Sequence, residues 1–287
     1  MTTGAKKFRE ILRSGEFIVS PGVYDGYTIR LVEDAGFKTA CTSGAAISNA
    51  LLGIADIGVM GLTENVNHCR NLARSVSIPL TADADNGYGN PVNVYHTVRM
   101  FEEAGVAGIN IEDQVSPKRC GHFNGKQVIE TSEMLGKIKA AVDARRDSGT
   151  LIMARTDAAA VHGFEAAIER AQAFEEAGAD ILFVEAVTRA EEVRALPQRL
   201  HAPQLMNMVI GGKTPLFNAD ALGQMGFGFV LYANAALQGA VAGMQKCLTV
   251  LRDAHQVDED PAIVAPFLER QRLVNKDFWD GLEQKYK

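Results

Sequence analysis

One unit recurs along this chain and constrains its fold more than any other feature. The stretches EDAGFKTACTSG, EEAGVAGINIED, EEAGADILFVEA and QMGFGFVLYA end at Gly44, Asp113, Ala186 and Ala233. Each closes a helix, passes a glycine and enters a short apolar run. The glycine suits the left-handed position that terminates a helix, and the run that follows reads as a buried strand. The phase is constant: seven residues on from Gly36, Gly105, Gly178 and Gly226 stand Ser43, Glu112, Glu185 and Ala233. Such repetition is the sequence form of βα units, and uninterrupted apolar strands imply a parallel sheet covered on both faces.

Filling the gaps gives eight expected strands: FIVSPGVY (17–24), TACTSG (39–44), PLTADAD (79–85), GINIED (108–113), LIMARTD (151–157), ILFVEA (181–186), QLMNMV (204–209) and FGFVLYA (227–233). Helical patterns such as DGYTIRLVEDAG and GFEAAIERAQAFEEAG lie between them. Eight units without a linker predict an α/β fold of the (β/α)8 TIM-barrel type. No glycine-rich fingerprint follows the first strand, which counts against an open dinucleotide-binding sheet. Residues 1–287 read as a single barrel domain, with 236–287 as a C-terminal helical extension ending in the aromatic stretch NKDFWDGLEQKY.

Composition narrows the function. The hydrophobic share of 47% supports one sizeable core, and the net charge of -6 with no Lys/Arg stripe argues against nucleic acid as a partner. The opening MTTGAKKFREILRSGE is charged and amphipathic rather than a signal peptide, and no stretch is apolar enough to span a membrane. Cys41, Cys69, Cys120 and Cys247 follow no metal or disulfide spacing, so a soluble protein of the reducing cytoplasm is expected.

Polar groups stand at nearly every strand end: Ser43, Asp83 with Asp85, Glu112 with Asp113, Arg155 with Asp157, Glu185 and Asn207. In a barrel these ends converge on the face where catalysis occurs. Strand ends are often polar merely because they meet solvent, but carboxylates at three separate ends, with Arg and Asn, exceed that explanation. Asp83 and Asp85 at i and i+2 would point to one side of a strand, and two like charges so close call for a shared cation or proton. With Glu112 they form an all-oxygen set without His or Cys, suited to Mg²⁺ or Mn²⁺ rather than Zn²⁺. Lys118-Arg119-Cys120-Gly121-His122 follows the fourth strand. A thiol flanked by two cations and a histidine is expected to have a lowered pKa. Cys69 and Cys247 read as small apolar residues on helices, and His96 and His255 carry no expected role.

At these residues the chain resembles the isocitrate lyase/phosphoenolpyruvate mutase superfamily over nearly its whole length. The matching stretches are PGVYDGYTIRLVEDAGF, TSGAAIS, LGIADIG, ADADNGYGN, NIEDQVSPKRCGH, MARTDA, FVEA and GGKTPLF. KRCGH is similar to the signature of the carbon–carbon lyase branch, which includes methylisocitrate and dimethylmalate lyases, oxaloacetate hydrolase and the petal death protein. The resemblance implies that Asp85 binds Mg²⁺ directly while Asp56, Asp83 and Glu112 hold its water ligands. It implies that Ser43, Gly44, Ala45 and Arg155 bind the oxalate-like end of a small carboxylate substrate. Cys120 would transfer the proton from a closing loop, with Lys118, Arg119 and His122 around it. Glu185, Asn207, Gly211, Gly212 and Thr214 would complete the pocket. The resemblance further implies a homotetramer in which C-terminal helices are exchanged between subunits.

Three places depart from the better-known lyases: Ile210 where Glu is common, Cys41 in place of an aromatic, and Ala233-Asn234-Ala235 where methylisocitrate lyase has Pro and Ser. They count against a tricarboxylate substrate more than against the reaction class. The expected activity is Mg²⁺-dependent carbon–carbon cleavage of a small 2-hydroxy dicarboxylate, of 2-methylisocitrate or dimethylmalate type, to an oxo acid such as pyruvate and a carboxylic acid. Alternatives are a phosphonomutase, an oxaloacetate hydrolase and a non-catalytic dicarboxylate-binding barrel.

Overall fold

The computed structural model describes residues 3–287. Eight strands form one parallel sheet: β1 (Ile18–Val23), β2 (Ala40–Thr42), β3 (Leu80–Asp83), β4 (Gly108–Glu112), β5 (Leu151–Thr156), β6 (Ile181–Val184), β7 (Leu205–Asn207) and β8 (Phe229–Tyr232). Each pairs with its sequence neighbour, β1 also pairs with β8, and a parallel bridge from Leu182 to Gln204 joins β6 to β7. The result is the expected (β/α)8 barrel. Its strands are buried on both faces, as their lack of polar–apolar alternation predicts. Gly105 and Gly226 take left-handed backbone angles, φ 91° and 104°, at the ends of the helices Pro91–Ala104 and Ala219–Met225. That conformation fixes the repeat's phase, because only glycine adopts it without strain.

The strands stop earlier than the apolar pattern suggests. β3 ends at Asp83, and Asp85 lies beyond it with φ 48°. Asp83 and Asp85 therefore converge through a tight turn rather than through strand alternation, a correction to the i, i+2 reading. The amide of Asp85 donates to Asp83 Oδ1 at 3.1 Å within that turn.

The opening amphipathic segment forms the helix Gly4–Arg13, whose Phe8 is wholly buried and meets Phe229 of β8 edge to face at 5.9 Å. Phe8 belongs to the cluster of Ile18, Leu151, Met153, Ile181, Leu205 and Phe229 inside the barrel. Phe8→Ala is expected to destabilise the fold by about 3–5 kcal/mol. Urea unfolding checks this; a loss under ~1 kcal/mol would show that the helix is not part of the core. Beyond β8 the helices Ala235–Ala254, Phe267–Leu273 and Lys276–Lys285 follow. The first is 20 residues long and none of them is buried.

Candidate active site

The C-terminal strand ends surround a cavity of about 50 Å³. Ser43, Gly44 and Ala45 after β2, Asp83 of β3, Asn110 of β4, Arg155 of β5, Glu185 after β6, Asn207 of β7 and Asn234 after β8 contribute to its wall, as do Asp56, Cys120, Gly121 and His122. Chain segments far apart in sequence meet here because each polar residue sits at the same end of its strand.

One side is acidic. Lys118 is buried, with its Nζ 2.7 Å from Asp56 Oδ1 and 2.8 Å from Asp85 Oδ1. Asp83 Oδ2 accepts from the Gly44 amide at 3.3 Å, and a side chain at position 44 would run into it. Glu112 Oε2 lies 3.1 Å from Arg155 Nη1, whereas its buried Oε1 has no partner. Burial pushes Asp85 up to about 7, with Asp83 and Asp56 adding repulsion and Lys118 opposing it. Burial likewise raises Glu112 well above the usual carboxylate range despite Arg155. Burial alone would lower the Lys118 pKa, but Asp85, Glu112, Asp83 and Asp56 together hold it well above its ordinary value.

The donor set fits a hard divalent cation. Every side-chain donor is oxygen, Glu112 Oε1 is buried without a partner, and burial raises both Asp85 and Glu112, so a cation that favours their ionised forms would be stabilised there. Among the described residues no three His, Cys, Asp or Glu side chains form a complete cage. One or two carboxylates with waters and substrate would hold the ion, the manner in which Mg²⁺ is usually bound. A pH signature follows. Asp85 is raised from 3.8 to about 7, so the folded protein retains a proton that the unfolded chain releases. Metal-free stability therefore falls as pH rises through that window, and a cation that favours the ionised carboxylate restores it. Mg²⁺ is expected to raise Tm more at about pH 8 than at about pH 5. Equal shifts at both, read by scanning fluorimetry, would contradict this assignment of charge.

The opposite side is built on Arg155. Its Nε and Nη2 grip Asp157 at 2.9 and 3.1 Å, and its guanidinium lies 5.2 Å from the Phe183 ring centroid. Glu185 is buried, which alone would raise it, but Arg155 and His122 outweigh burial and leave it at about 2. Asn207 Nδ2 donates to Glu185 Oε2 at 3.3 Å, while Asn207 Oδ1 and Asn110 Oδ1 are buried without partners. Asn110 was missed in the sequence, although it precedes Glu112 by two residues on β4 and so shares its face. Ser43 Oγ donates to Asn234 Oδ1 at 3.1 Å and accepts from the Ala46 amide at 3.2 Å. Asn234 thereby joins Ser43 in the cavity wall.

Two expectations for the loop after β4 need correction. The Cys120 thiol is raised, not lowered: burial dominates, Asp56 and Glu185 add to it, and the His122 amide and Arg155 only partly oppose it. The flanking charges are spent elsewhere. Lys118 is paired with Asp56 and Asp85, and Arg119 is exposed outside the cavity wall, its backbone clamped by Gln114 at 2.8 and 3.0 Å. His122 Nδ1 accepts from the Lys213 amide at 2.9 Å, which leaves the ring proton on Nε2, 3.0 Å from Glu185 Oε1 but poorly aligned with it. Gly211, Gly212 and Thr214 likewise stand outside the cavity wall, as do Asp85, Glu112 and Lys118, which meet it through Asp56, Asp83 and Arg155. Gly212 instead packs against the His122 ring, leaving no room for a side chain. Ile210 is 46% exposed and also outside the cavity.

Fold and site together define a class: a (β/α)8-barrel enzyme with an acidic cluster, a buried arginine held among three carboxylates and a thiol-bearing loop at the C-terminal strand ends. Residues 8–251 match the family model described as phosphoenolpyruvate phosphomutase. The chain is 41% identical over 249 residues to 2,3-dimethylmalate lyase of Eubacterium barkeri, covering 87% of this chain and 86% of that one. It is 44% identical over 245 residues to 2-methylisocitrate lyase of Aeropyrum pernix, covering 85% and 78%. Among solved structures, oxaloacetate acetylhydrolase with 3,3-difluorooxalacetate superposes with TM-score 0.94 at 34% identity, covering 99% and 97%. A phosphonopyruvate hydrolase complex with oxalate and Mg²⁺ superposes with TM-score 0.88 at 29% identity, covering 99% of each. The chain belongs to the phosphoenolpyruvate mutase/isocitrate lyase superfamily.

Proposed function

We propose that this barrel is a Mg²⁺-dependent carbon–carbon lyase acting on a small 2-hydroxy dicarboxylate and releasing an oxo acid such as pyruvate with a carboxylic acid. The observation that carries the reading is the half-buried Cys120 thiol, its pKa raised by burial, in the wall of the cavity that Arg155, Asp56 and Asp83 also line. A thiol with a raised pKa is a proton donor at neutral pH, which is the state that quenching a carbanion requires. Relatives named for lyase activity on dimethylmalate and methylisocitrate support the reaction class.

In this reading Arg155, Ser43 and the Gly44–Ala45 start of the short helix Gly44–Ile47 bind the carboxylate beside the reacting carbon. When bound at Asp85, with Asp83, Asp56 and Glu112 around it, Mg²⁺ supplies Lewis-acid stabilisation of charge on the substrate's 2-oxygen. The 2-hydroxyl passes its proton to a carboxylate of the acidic cluster, the O–H electron pair forms the carbonyl, and the adjacent carbon–carbon bond breaks. The departing carbon takes that bond's pair and receives the Cys120 proton. Lys118 offsets the carboxylate charge, His122 and Glu185 orient the lid, and the closed lid keeps bulk water from the carbanion.

Cys41, Met153, Phe183, Leu205, Val209 and Leu231 line the cavity between the polar groups. This apolar wall favours an alkyl-substituted malate over a tricarboxylate, since Arg155 already faces three carboxylates. Dimethylmalate, methylisocitrate, other substituted malates and oxaloacetate should be tested with Mg²⁺ and their products identified. Turnover of a substituted malate is expected; conversion of phosphonopyruvate alone would assign a phosphonomutase instead.

The helix Ala235–Ala254 supports exchange between subunits of a homotetramer. Its Val241, Met244, Leu248 and Leu251 are 41–61% exposed, and an apolar groove lined by Tyr27, Leu31, Val32 and Phe37 lies beside its start. Leu248→Asp is expected to lower the mass seen by light scattering; an unchanged tetramer would place the interface elsewhere. Among the described residues no helix is long and apolar enough to cross a membrane. Four free cysteines support a cytoplasmic protein.

A further inference from the structure

The lid leaves β4 and returns as a ribbon tied at its base. The Val115 amide donates to Gln127 O at 2.9 Å, Gln114 bridges Val128, and the Ile129 amide donates to Asp113 O at 2.9 Å. Cys120 sits near the tip, and at the base of the returning arm stands Lys126. Its side chain turns inward and is buried. The Nζ donates to the carbonyl of Gly121 at 2.5 Å and pairs with Asp157 Oδ1 at 2.6 Å.

The Lys126 pairing is not required to neutralise Asp157. That carboxylate, completely buried, already receives both Nε and Nη2 of Arg155. Burying a second cation beside it is costly unless the ammonium gains further partners, and the partner gained is the carbonyl of the residue after Cys120. Gly121 itself presses on the clamp: a methyl group there would overlap the Arg155 guanidinium and the Glu185 side chain. One ammonium thus joins the lid tip to the carboxylate that holds Arg155. The loop has other ties, namely Cys120 N to Asp56 O at 3.1 Å, Lys118 Nζ to Asp56 and Asp85 at 2.7 and 2.8 Å, and Lys213 N to His122 Nδ1 at 2.9 Å; none touches Asp157, and His122 lies against Glu185, itself 3.7 Å from Arg155.

We propose that Lys126 is a positioning residue, a latch whose bridge from the Gly121 carbonyl to Asp157 holds the lid on the arginine clamp and the Cys120 thiol over the cavity. The role of the thiol rests on the lyase reading, whereas the latch itself is a statement about the lid. Its consequence is that the charge cluster binding the substrate's carboxylate also sets lid closure.

The test uses Lys126→Met and Lys126→Arg in the full-length protein, with and without Mg²⁺ and oxalate. Iodoacetamide labelling at Cys120, read by peptide mass spectrometry, reports lid closure; Cys247, half-buried on the helix Ala235–Ala254, is the internal control. Lys126→Met is expected to label about 10-fold faster at Cys120 and unchanged at Cys247, with kcat down about 10-fold and KM within about 3-fold. Lys126→Arg, which can still bridge two oxygens, is expected to recover most of both. Wild-type protection of Cys120 in Lys126→Met would overturn the latch. So would parallel acceleration at Cys120 and Cys247 without recovery by arginine, which marks general loosening. Labelling does not require turnover, so failure of every substrate would count against the lyase reading while the labelling arm still decides the latch.

Discussion

Cys120→Ala is expected to lower kcat by about 10²–10⁴-fold, the range lost when a positioned proton donor is removed. Mg²⁺-dependent oxalate affinity should stay within about 3-fold, because the thiol is on the lid rather than in the clamp. The two readouts together identify the role. A general acid acts in the transition state and leaves ground-state binding intact, so kcat and kcat/KM should fall together. The thiol must be protonated to serve, and burial keeps it so by raising its pKa. Cys120→Ser should not restore the rate, since a serine hydroxyl is a far weaker acid. Full activity in either variant would remove the thiol from the mechanism.

The second large effect is expected at Arg155. Arg155→Met leaves Asp157, Glu112 and Glu185 buried around an apolar side chain, and removing one partner of a buried ion cluster costs about 3–5 kcal/mol. The sign with pH is definite. In the wild type, Glu185 is held at about 2, so its stabilisation is full above the unfolded carboxylate value and is lost as pH falls toward that figure. In the variant Glu112 and Glu185 lose that cation and favour protonation, whereas Asp157 keeps Lys126 at 2.6 Å. The stability deficit should therefore be larger at about pH 8 than at about pH 5, as urea melts at the two would show. A deficit independent of pH would mean that lost packing against Phe183, rather than charge, dominates.

The parts of this molecule that sequence made legible are those set by local chemistry with a fixed phase. Glycines 36, 105, 178 and 226 end helices in the left-handed conformation, and counting on from them lands on Ser43, Glu112 and Glu185 just at or beyond their strands. That is why residues scattered over much of the chain could be placed around one mouth before any coordinates. The turn at Asp85 was less legible, because a left-handed aspartate leaves no periodic trace.

What sequence misread was set by tertiary partners. Lys118-Arg119 beside Cys120 looked like two cations acting on a thiol, yet one is claimed by Asp56 and Asp85 and the other faces solvent. Burial then decides the thiol's acidity. Lys126 and Asp157 gave no signal of their contact either, since 31 residues and a barrel strand separate them. Gly211–Thr214 reaches the site only through His122, a contact made between two loops.

The proposed reaction turns on Cys120 handing a proton to the carbon released when the bond breaks. The most direct measurement is cleavage of a substituted malate with Mg²⁺ in D₂O, followed by NMR of both products. The expected products are a 2-oxo acid and a carboxylic acid carrying one deuterium, in a single configuration, at the carbon that left. Turnover with deuterium in both configurations, or conversion of phosphonopyruvate with no malate cleaved, would contradict it.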